Sequence, residues 1–204
     1  MIAIIDYGSG NVAAIANIYR QLGVACSVVS DYSKLLSASK YILPGVGHFD
    51  YTMKSIRSSG LSETLNEQIL VKKKPVLGIC VGMQLLADSS EEGDETGLCW
   101  IPGHVSRIDA EARGVRLPHM GWNSVSIHAD PMGLFADIDQ TAGFYFLHSY
   151  HFLPSSTASI MATTDYSVPL VCSVSNSENI FGVQFHPEKS HQNGISLFNN
   201  FAKI

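Results

Sequence analysis

One cysteine of the sequence stands between two glycines where a strand is expected to turn into a helix. Residues 75–88 predict a buried strand, a sharp turn at Cys80 and the start of a helix. Gly78 and Gly82 let strand and helix approach closely, and the helix N-terminus favours a thiolate. We therefore expect Cys80 to be a nucleophile and the backbone N–H of Val81 to stabilise an oxyanion. The alternative is a buried core cysteine between two packing glycines.

A histidine and a glutamate follow a later expected strand, at residues 180–185. Because residues i and i+2 of an extended chain point to the same side, His186 and Glu188 are expected to lie side by side, with Pro187 stiffening the turn. A carboxylate beside an imidazole fixes its tautomer and stabilises its protonated form. Cys80, His186 and Glu188 therefore predict a nucleophile, a base and an orienting group. For the pair alone, the alternative is an exposed strand end with an incidental histidine.

The elements that must position these groups alternate between strand and helix in the first half of the chain. Expected strands are 2–5, 24–29, 41–43 and 75–79, and expected helices are 11–22, 51–71 with a break near Gly60, and 82–88. This order predicts an α/β fold, a mostly parallel sheet with helices on both faces, in one domain over residues 1–204. From about residue 98 strands predominate, at 125–127, 144–147, 159–163, 170–174 and 180–185, before a last helix at about 194–202. We expect these strands to be antiparallel and to extend or flank the parallel core.

Composition and charge argue against several classes of protein. With 46% hydrophobic and 15% charged residues and a net charge of −5, the chain has a globular composition and no basic stripe for nucleic acid. No apolar run approaches the roughly 18 residues needed to span a bilayer. Four scattered cysteines without CxxC spacing fit free thiols in a reducing cytoplasm. His148 and His151 have HxxH spacing but are expected to face opposite sides of a strand end, so we expect no metal and no cofactor.

Several segments resemble a known family. Residues 78–84 (Gly-Ile-Cys-Val-Gly-Met-Gln) and 186–188 (His-Pro-Glu) resemble the class I, or triad, glutamine amidotransferases. Segments 6–11, 43–49, 118–123, 146–150 and 184–190 are similar to those of the glutaminase subunits of imidazole glycerol phosphate synthases. The resemblance covers essentially the whole chain, and it implies a flavodoxin-like fold.

The resemblance also implies a reaction. Cys80 would attack the side-chain amide of L-glutamine through a thioester, releasing ammonia and then glutamate, while His186 shuttles the proton and Glu188 orients it. The family more usually has leucine after the nucleophile, where this chain has Val81. Because the backbone N–H acts there, the change is expected to be tolerated.

A glycine-rich loop and two further segments complete the site that the resemblance implies. Val46 and Gly47 resemble the second oxyanion donor of the family, which must reorient before the oxyanion hole is complete. Gly45, Gln84, Ser149 and Tyr150 resemble the segments that hold the substrate. From the residues alone, Pro44-Gly45-Val46-Gly47 predicts only a tight turn after a strand.

The family also implies a partner, a (βα)8-barrel synthase subunit that receives the ammonia. Met120 and Trp122, placed among expected turn residues, are side chains that recur in interfaces, and Asn11, Tyr145 and Lys189 are expected to join them. The alternatives are that Trp122 packs on its own domain and that Asn11 caps the first helix. We expect low activity until the partner and its ligand complete the oxyanion hole.

Two other functions remain open from the sequence. Paralogous subunits supply ammonia to barrel partners that aminate nucleotide-linked or surface-polysaccharide sugars, and their motifs would look the same. A catalytically silent regulatory subunit is the second alternative, although all three triad positions are filled.

Overall fold

The computed structural model describes residues 1–30 and 32–204, and it contains one large mixed sheet and two small ones. The strands in chain order are β1 (Ile2–Ile5), β2 (Cys26–Val29), β3 (Lys40–Gly45), β4 (Val76–Cys80), β5 (Ser89–Ser90), β6 (Gly103–Arg107), β7 (His119–Asn123), β8 (Ser126–Ile127), β9 (Phe144–His148), β10 (Tyr150–Pro154), β11 (Ile160–Asp165), β12 (Pro169–Ser175) and β13 (Ile180–Val183).

The large sheet has the order β2-β1-β3-β4-β13-β12-β11-β8. Parallel pairs join β2 through β13, and antiparallel pairs add β12, β11 and β8. The predicted parallel core with an antiparallel extension is therefore confirmed. β10, β6 and β5 form one small sheet, and β7 pairs with β9 in the other.

Helices alternate with the strands through much of the chain. They are α1 (Val12–Gln21), α2 (Tyr32–Ser37), α3 (Phe49–Ser58), α4 (Ser62–Asn66), α5 (Val81–Gln84), α6 (Ala110–Arg113) and α7 (His191–Lys203), with a π-helical turn at Glu67–Val71 and 3-10 turns at Thr157–Ser159 and Pro187–Lys189. From β1 the chain moves outward to β2 and then back across to β3. Because parallel crossovers are right-handed, α1 and α2 lie on opposite faces of the sheet. The carboxyl ends of the strands near this reversal are the usual place for a ligand in such a sheet.

Two predictions for the middle of the chain are wrong. The helix expected at 82–88 ends at Gln84, because N–H groups of residues 98–100 donate to the carbonyls of Leu85, Leu86 and Ala87 and replace continued helical bonds. Residues 119–123, expected as a turn, form β7. Their pairing with β9 is a long-range contact that the local sequence does not show.

Candidate active site

Cys80 occupies a strained corner between β4 and α5. Its φ is 55° and its ψ is −112°, a conformation that residues with a side chain rarely adopt. The two flanking glycines are required by space. A Cβ at Gly78 would lie 2.5 Å from the carbonyl oxygen of Gly82, and a Cβ at Gly82 would lie 1.8 Å from that of Leu43. The corner predicted from the glycine spacing is therefore present, and it projects Cys80 from the carboxyl end of the sheet.

His186 and Glu188 form a buried pair beside this cysteine. His186 Nδ1 lies 2.9 Å from Glu188 Oε1, and the two side chains are 3% and 2% exposed. Burial disfavours the charged ring, but hydrogen bonds with Cys80 and Glu188, together with the negative charge of both, outweigh it and raise the pKa of His186 well above its ordinary value. Since Nδ1 donates to Glu188, Nε2 is the nitrogen left for Cys80.

The pair lies side by side for a different reason than the sequence indicated. β13 ends at Val183, and Glu188 belongs to the 3-10 turn Pro187–Lys189 rather than to an extended chain. The turn is tied to β9, because His186 N donates to Tyr145 O at 2.8 Å and Ser190 Oγ donates to His186 O at 2.6 Å. The Tyr145 amide in turn donates to Ser190 Oγ at 3.0 Å.

A cavity of about 290 Å³ opens over Cys80. The residues that line it are Val46, Gly47, Cys80, Val81, Gln84, Glu92, Pro118, Leu147, His148, Ser149, Tyr150, His186 and Lys189. The structure thus brings together most of the residues predicted for the site. Glu188 lies behind His186, and Gly45 packs under the cavity, where an added Cβ would be 2.6 Å from Gly82 N. A larger cavity of about 460 Å³ beside Trp122 contains none of the triad residues.

The side chain of Gln84 can accept but not donate a hydrogen bond to a ligand in this cavity. Its Nε2 donates both to Tyr150 O and to Gln184 Oε1, each at 3.1 Å. Both amide hydrogens are thereby used within the protein, so only Oε1 remains for a bound molecule.

Glu92 is a residue of the cavity that the sequence did not single out. It lies in an acidic run, residues 91–95, with nothing in the local pattern to distinguish it. Its Oε2 accepts a hydrogen bond from Phe49 N at 2.8 Å, at the start of α3. A carboxylate is therefore fixed in the lining of the cavity, where it suits a ligand ammonium.

The two backbone N–H groups expected to stabilise the oxyanion differ in whether another protein group already accepts their hydrogen bond. Val81 is the first residue of α5, so its N–H has no acceptor within the helix and is free for the cavity. The N–H of Val46 donates instead to Ser9 Oγ at 2.9 Å, and the same hydroxyl donates to Val46 O at 2.8 Å. Gly47 follows with a φ of 100°, a conformation suited to glycine. The loop is therefore held against the β1–α1 connection and does not present the Val46 amide to Cys80.

Comparisons with known proteins agree with this geometry. A family model described as glutamine amidotransferase class-I matches residues 3–204. The chain belongs to the class-I glutamine amidotransferases. Proteins named imidazole glycerol phosphate synthase subunit HisH from Bdellovibrio bacteriovorus, Pelagibacter ubique and Leptospira interrogans are 46%, 44% and 43% identical, over 100% of this chain and at least 99% of each relative.

Solved structures resemble this amidotransferase in fold. A crystal structure from Thermoplasma acidophilum, described as that of a GMP synthase component, has a TM-score of 0.74 and 22% identity, over 99% of this chain and 92% of its own. A second structure, of a glutamine amidotransferase, has a TM-score of 0.74 at 16% identity and covers 100% of both chains. The predicted fold class is confirmed.

A buried histidine pair lies beside the amidotransferase cavity, which one of the two, His148, lines. His148 Nδ1 donates to Tyr150 O at 2.8 Å, so in the neutral ring Nε2 is an acceptor, and it lies 2.9 Å from His119 Nδ1. His119 Nδ1 therefore donates, and its Nε2 accepts from Asn123 Nδ2 at 3.3 Å. Burial lowers the pKa of His119 to about 4 and that of His148 to about 3. Both rings are neutral at pH 7.

The residues expected at a partner interface are exposed or half-buried. Met120 and Trp122 are 61% and 48% exposed on one face of β7. Tyr145 lies opposite Trp122 on β9, and Lys189 Nζ lies 5.6 Å from the centre of the Tyr145 ring. Trp122 also stacks on His191, with ring centres 5.1 Å apart.

Asn11 stands at the N-cap position of α1, but its exposed side chain makes no capping hydrogen bond. The alternative of a side-chain cap is therefore wrong. Among residues 1–30 and 32–204, no group of three or more His, Cys, Asp or Glu side chains is placed to hold a metal. No helix in the same part of the chain is long and apolar enough to cross a membrane.

Proposed function

We propose that this amidotransferase is the glutaminase subunit of an imidazole glycerol phosphate synthase, hydrolysing glutamine and supplying ammonia for histidine biosynthesis. The observation that carries the proposal is Cys80 at a strained corner, in one cavity with a His186 that Glu188 orients. Full-length relatives named as HisH subunits support the pathway. Nothing in the part of the chain that the structure describes favours a sugar-modifying partner or a catalytically silent role.

The cavity supports a pose for glutamine. Its α-ammonium meets the Glu92 carboxylate and Gln84 Oε1, both of which are acceptors, and its carboxylate lies near the backbone of Ser149 and Tyr150. The side-chain amide then extends toward Cys80 Sγ.

The proposed reaction has two halves. The Cys80 thiolate attacks the amide carbon, the Val81 N–H stabilises the oxyanion, and the His186 imidazolium gives its proton to the departing nitrogen, which leaves as ammonia. The thioester remains on Cys80. Neutral His186 then takes a proton from water as the water oxygen attacks the thioester carbon. When the carbon–sulfur bond breaks, glutamate leaves and the thiolate–imidazolium pair is restored.

Full activity requires the second oxyanion donor. The Val46 N–H must leave Ser9 and turn toward Cys80, and Gly45 and Gly47 on either side permit that rotation. We propose that a (βα)8-barrel synthase subunit drives this change by binding over the cavity. Its contact surface is the exposed face of β7 and β9, namely Met120, Trp122, Tyr145 and Leu147, joined by Asn11 and Lys189.

The proposal also includes a cytoplasmic location, because Cys26, Cys80, Cys99 and Cys172 are all free thiols.

The decisive test measures glutamate release with a barrel synthase partner and its ribonucleotide ligand, comparing the intact chain with Cys80→Ala. Loss of glutamate release in the variant is expected, and retained release would overturn the assignment of the nucleophile. Consumption of the histidine-pathway ribonucleotide tests whether the released ammonia is used in histidine biosynthesis. Equal turnover with and without the partner and ligand would overturn the activation step.

A further inference from the structure

A buried glutamine next to the nucleophile has no part in the mechanism above. Gln184 is fully buried, follows β13, and its backbone N–H donates to Cys172 O at 2.9 Å. β13 runs parallel to β4 with Val183 opposite Ile79, so the next pair in register is Gln184 and Cys80. A polar side chain with no solvent contact requires partners.

The orientation of its amide is fixed by a chain of donors and acceptors that begins at a backbone carbonyl. Tyr150 O can only accept, so the atom of Gln84 that faces it is Nε2. The same Nε2 faces Gln184 at 3.1 Å, which requires an acceptor there, Gln184 Oε1. Gln184 Nε2 is then the atom that faces Cys80 Sγ, at 3.7 Å. A flipped Gln184 amide would bring two donors together, so the network excludes it.

The sulfur consequently has two donors, and this arrangement suits its ionised form. The neutral thiol can direct its S–H toward Leu147 O at 3.9 Å, and the ionised sulfur can accept from both His186 and Gln184. A donor that is oriented by other protein groups stabilises negative charge without reorganising.

We propose that Gln184 is a second hydrogen-bond donor to the nucleophilic sulfur, holding the Cys80 thiolate in place for attack and linking it through Gln84 to the end of the cavity that receives the substrate. The inference rests on Cys80 being the nucleophile of the proposed function. It gives Gln84 two roles, since its carbonyl faces the ligand and its amide orients Gln184.

The test is the pH dependence of Cys80 alkylation by iodoacetamide in the intact chain and in Gln184→Met, which keeps the length of the side chain without its donor. Cys99 is exposed and Cys26 partly so, so modification is followed by mass spectrometry of the peptide that contains Cys80. The pH of half-maximal alkylation rate is expected to rise by about one unit in the variant, or about 1.4 kcal/mol. An unchanged midpoint in the folded variant would overturn the inference.

Asn200→Leu is the matched control, because Asn200 is another buried amide, donating to Leu134 O and Ala136 O away from the cavity. It should lower stability without moving the alkylation midpoint. If it moves the midpoint as far as Gln184→Met does, the effect is one of general loosening and the inference fails.

The unaltered chain provides a measurement that needs no variant. The side-chain amide resonances of Gln184 should shift with the same pH midpoint as the alkylation rate, and resonances that do not follow that midpoint would contradict the proposal. Neither measurement depends on glutamine turnover. Failure here would therefore leave the glutaminase assignment standing, whereas glutamate release by Cys80→Ala would remove the assignment itself.

Discussion

The two sides of the cavity differ in how completely they are built for catalysis. On one side Cys80 and His186 line the cavity together, Glu188 is hydrogen-bonded to His186, and all three are fixed by β4, α5 and the 3-10 turn after β13. On the other side, in the loop at residues 45–47, the Val46 N–H that is proposed to stabilise the oxyanion donates instead to the hydroxyl of Ser9. In the proposed mechanism, the nucleophile and its base are therefore in place before the oxyanion hole is complete.

The difference has a physical origin. The triad is held by packing and by sheet register, which change only if the core changes. The Val46 N–H and carbonyl are held by hydrogen bonds to one serine, each with a net contribution of about 0.5–1.5 kcal/mol. A partner that binds nearby can supply a free energy of that size. The weaker side is thus the natural place for regulation.

The largest effect is expected from a substitution on the side of the cavity that is already assembled, that of Cys80, His186 and Glu188. In Glu188→Gln an amide replaces the carboxylate that fixes the His186 tautomer and stabilises its charge. We expect kcat for glutamine hydrolysis to fall by about a hundredfold to ten-thousandfold with little change in KM. Glu178→Gln, at an exposed ion pair with Lys73, is the control and should keep full activity. Normal kcat in Glu188→Gln would mean that the Glu188 carboxylate is not needed to orient His186 for catalysis.

The next largest effect is expected on the affinity for the barrel partner, which is proposed to bind near the loop at residues 45–47. Removing the half-exposed ring in Trp122→Ala should weaken binding of the barrel partner by about 2 kcal/mol, roughly thirtyfold in Kd, measured by calorimetric titration. Val71→Ala is the control, because Val71 is 74% exposed and precedes the opposite end of β4. Equal affinities of the two variants would contradict an interface at β7 and β9.

A smaller effect is expected when the hydrogen bond that holds the loop at residues 45–47 is removed. Ser9→Ala removes the acceptor that engages the Val46 N–H, so the loop should visit its other orientation more often. Glutaminase activity without the partner is expected to rise by up to about tenfold, and activation by the partner to shrink accordingly. Ser37→Ala, at an exposed hydroxyl bonded to Lys34 O, should change neither value. A drop in basal activity would assign Ser9 a supporting role instead.

The smallest effect is expected from the buried pair of His119 and His148, of which His148 lines the cavity. His119 and His148 stay neutral in the folded chain down to about pH 4 and about pH 3, and in the unfolded chain they bind protons below about pH 6.5. Over that interval the unfolded chain binds more protons, so the free energy of unfolding falls as the pH is lowered. His119→Asn keeps a donor toward His148 but does not titrate.

Urea unfolding between pH 8 and pH 4.5 should therefore show a shallower acid loss of stability in His119→Asn. The difference between the two chains at pH 8, where neither ring is charged, gives the baseline. Identical slopes would show that the His119 ring takes up its proton equally in the folded and unfolded chains.

Much of the fold and part of the site could be predicted from the sequence. Glycine spacing around Cys80 predicted the corner because strand and helix cannot approach with a Cβ between them. Apolar runs predicted the parallel strands, since these are buried on both faces. β7 could not be predicted, because its strand conformation depends on pairing with β9, which lies further along the chain. Glu92 could not be predicted as a site residue, because the residues around it are also acidic.

The sequence by itself determined which chemical groups exist and which of them stand at corners: a cysteine between glycines, and a histidine two residues before a glutamate. Those features are local and depend on backbone geometry over a few residues. Only the tertiary structure decided that Ser9 engages Val46 and that Gln184 faces Cys80. Each of these contacts joins segments far apart in the chain, which only the folded sheet brings together.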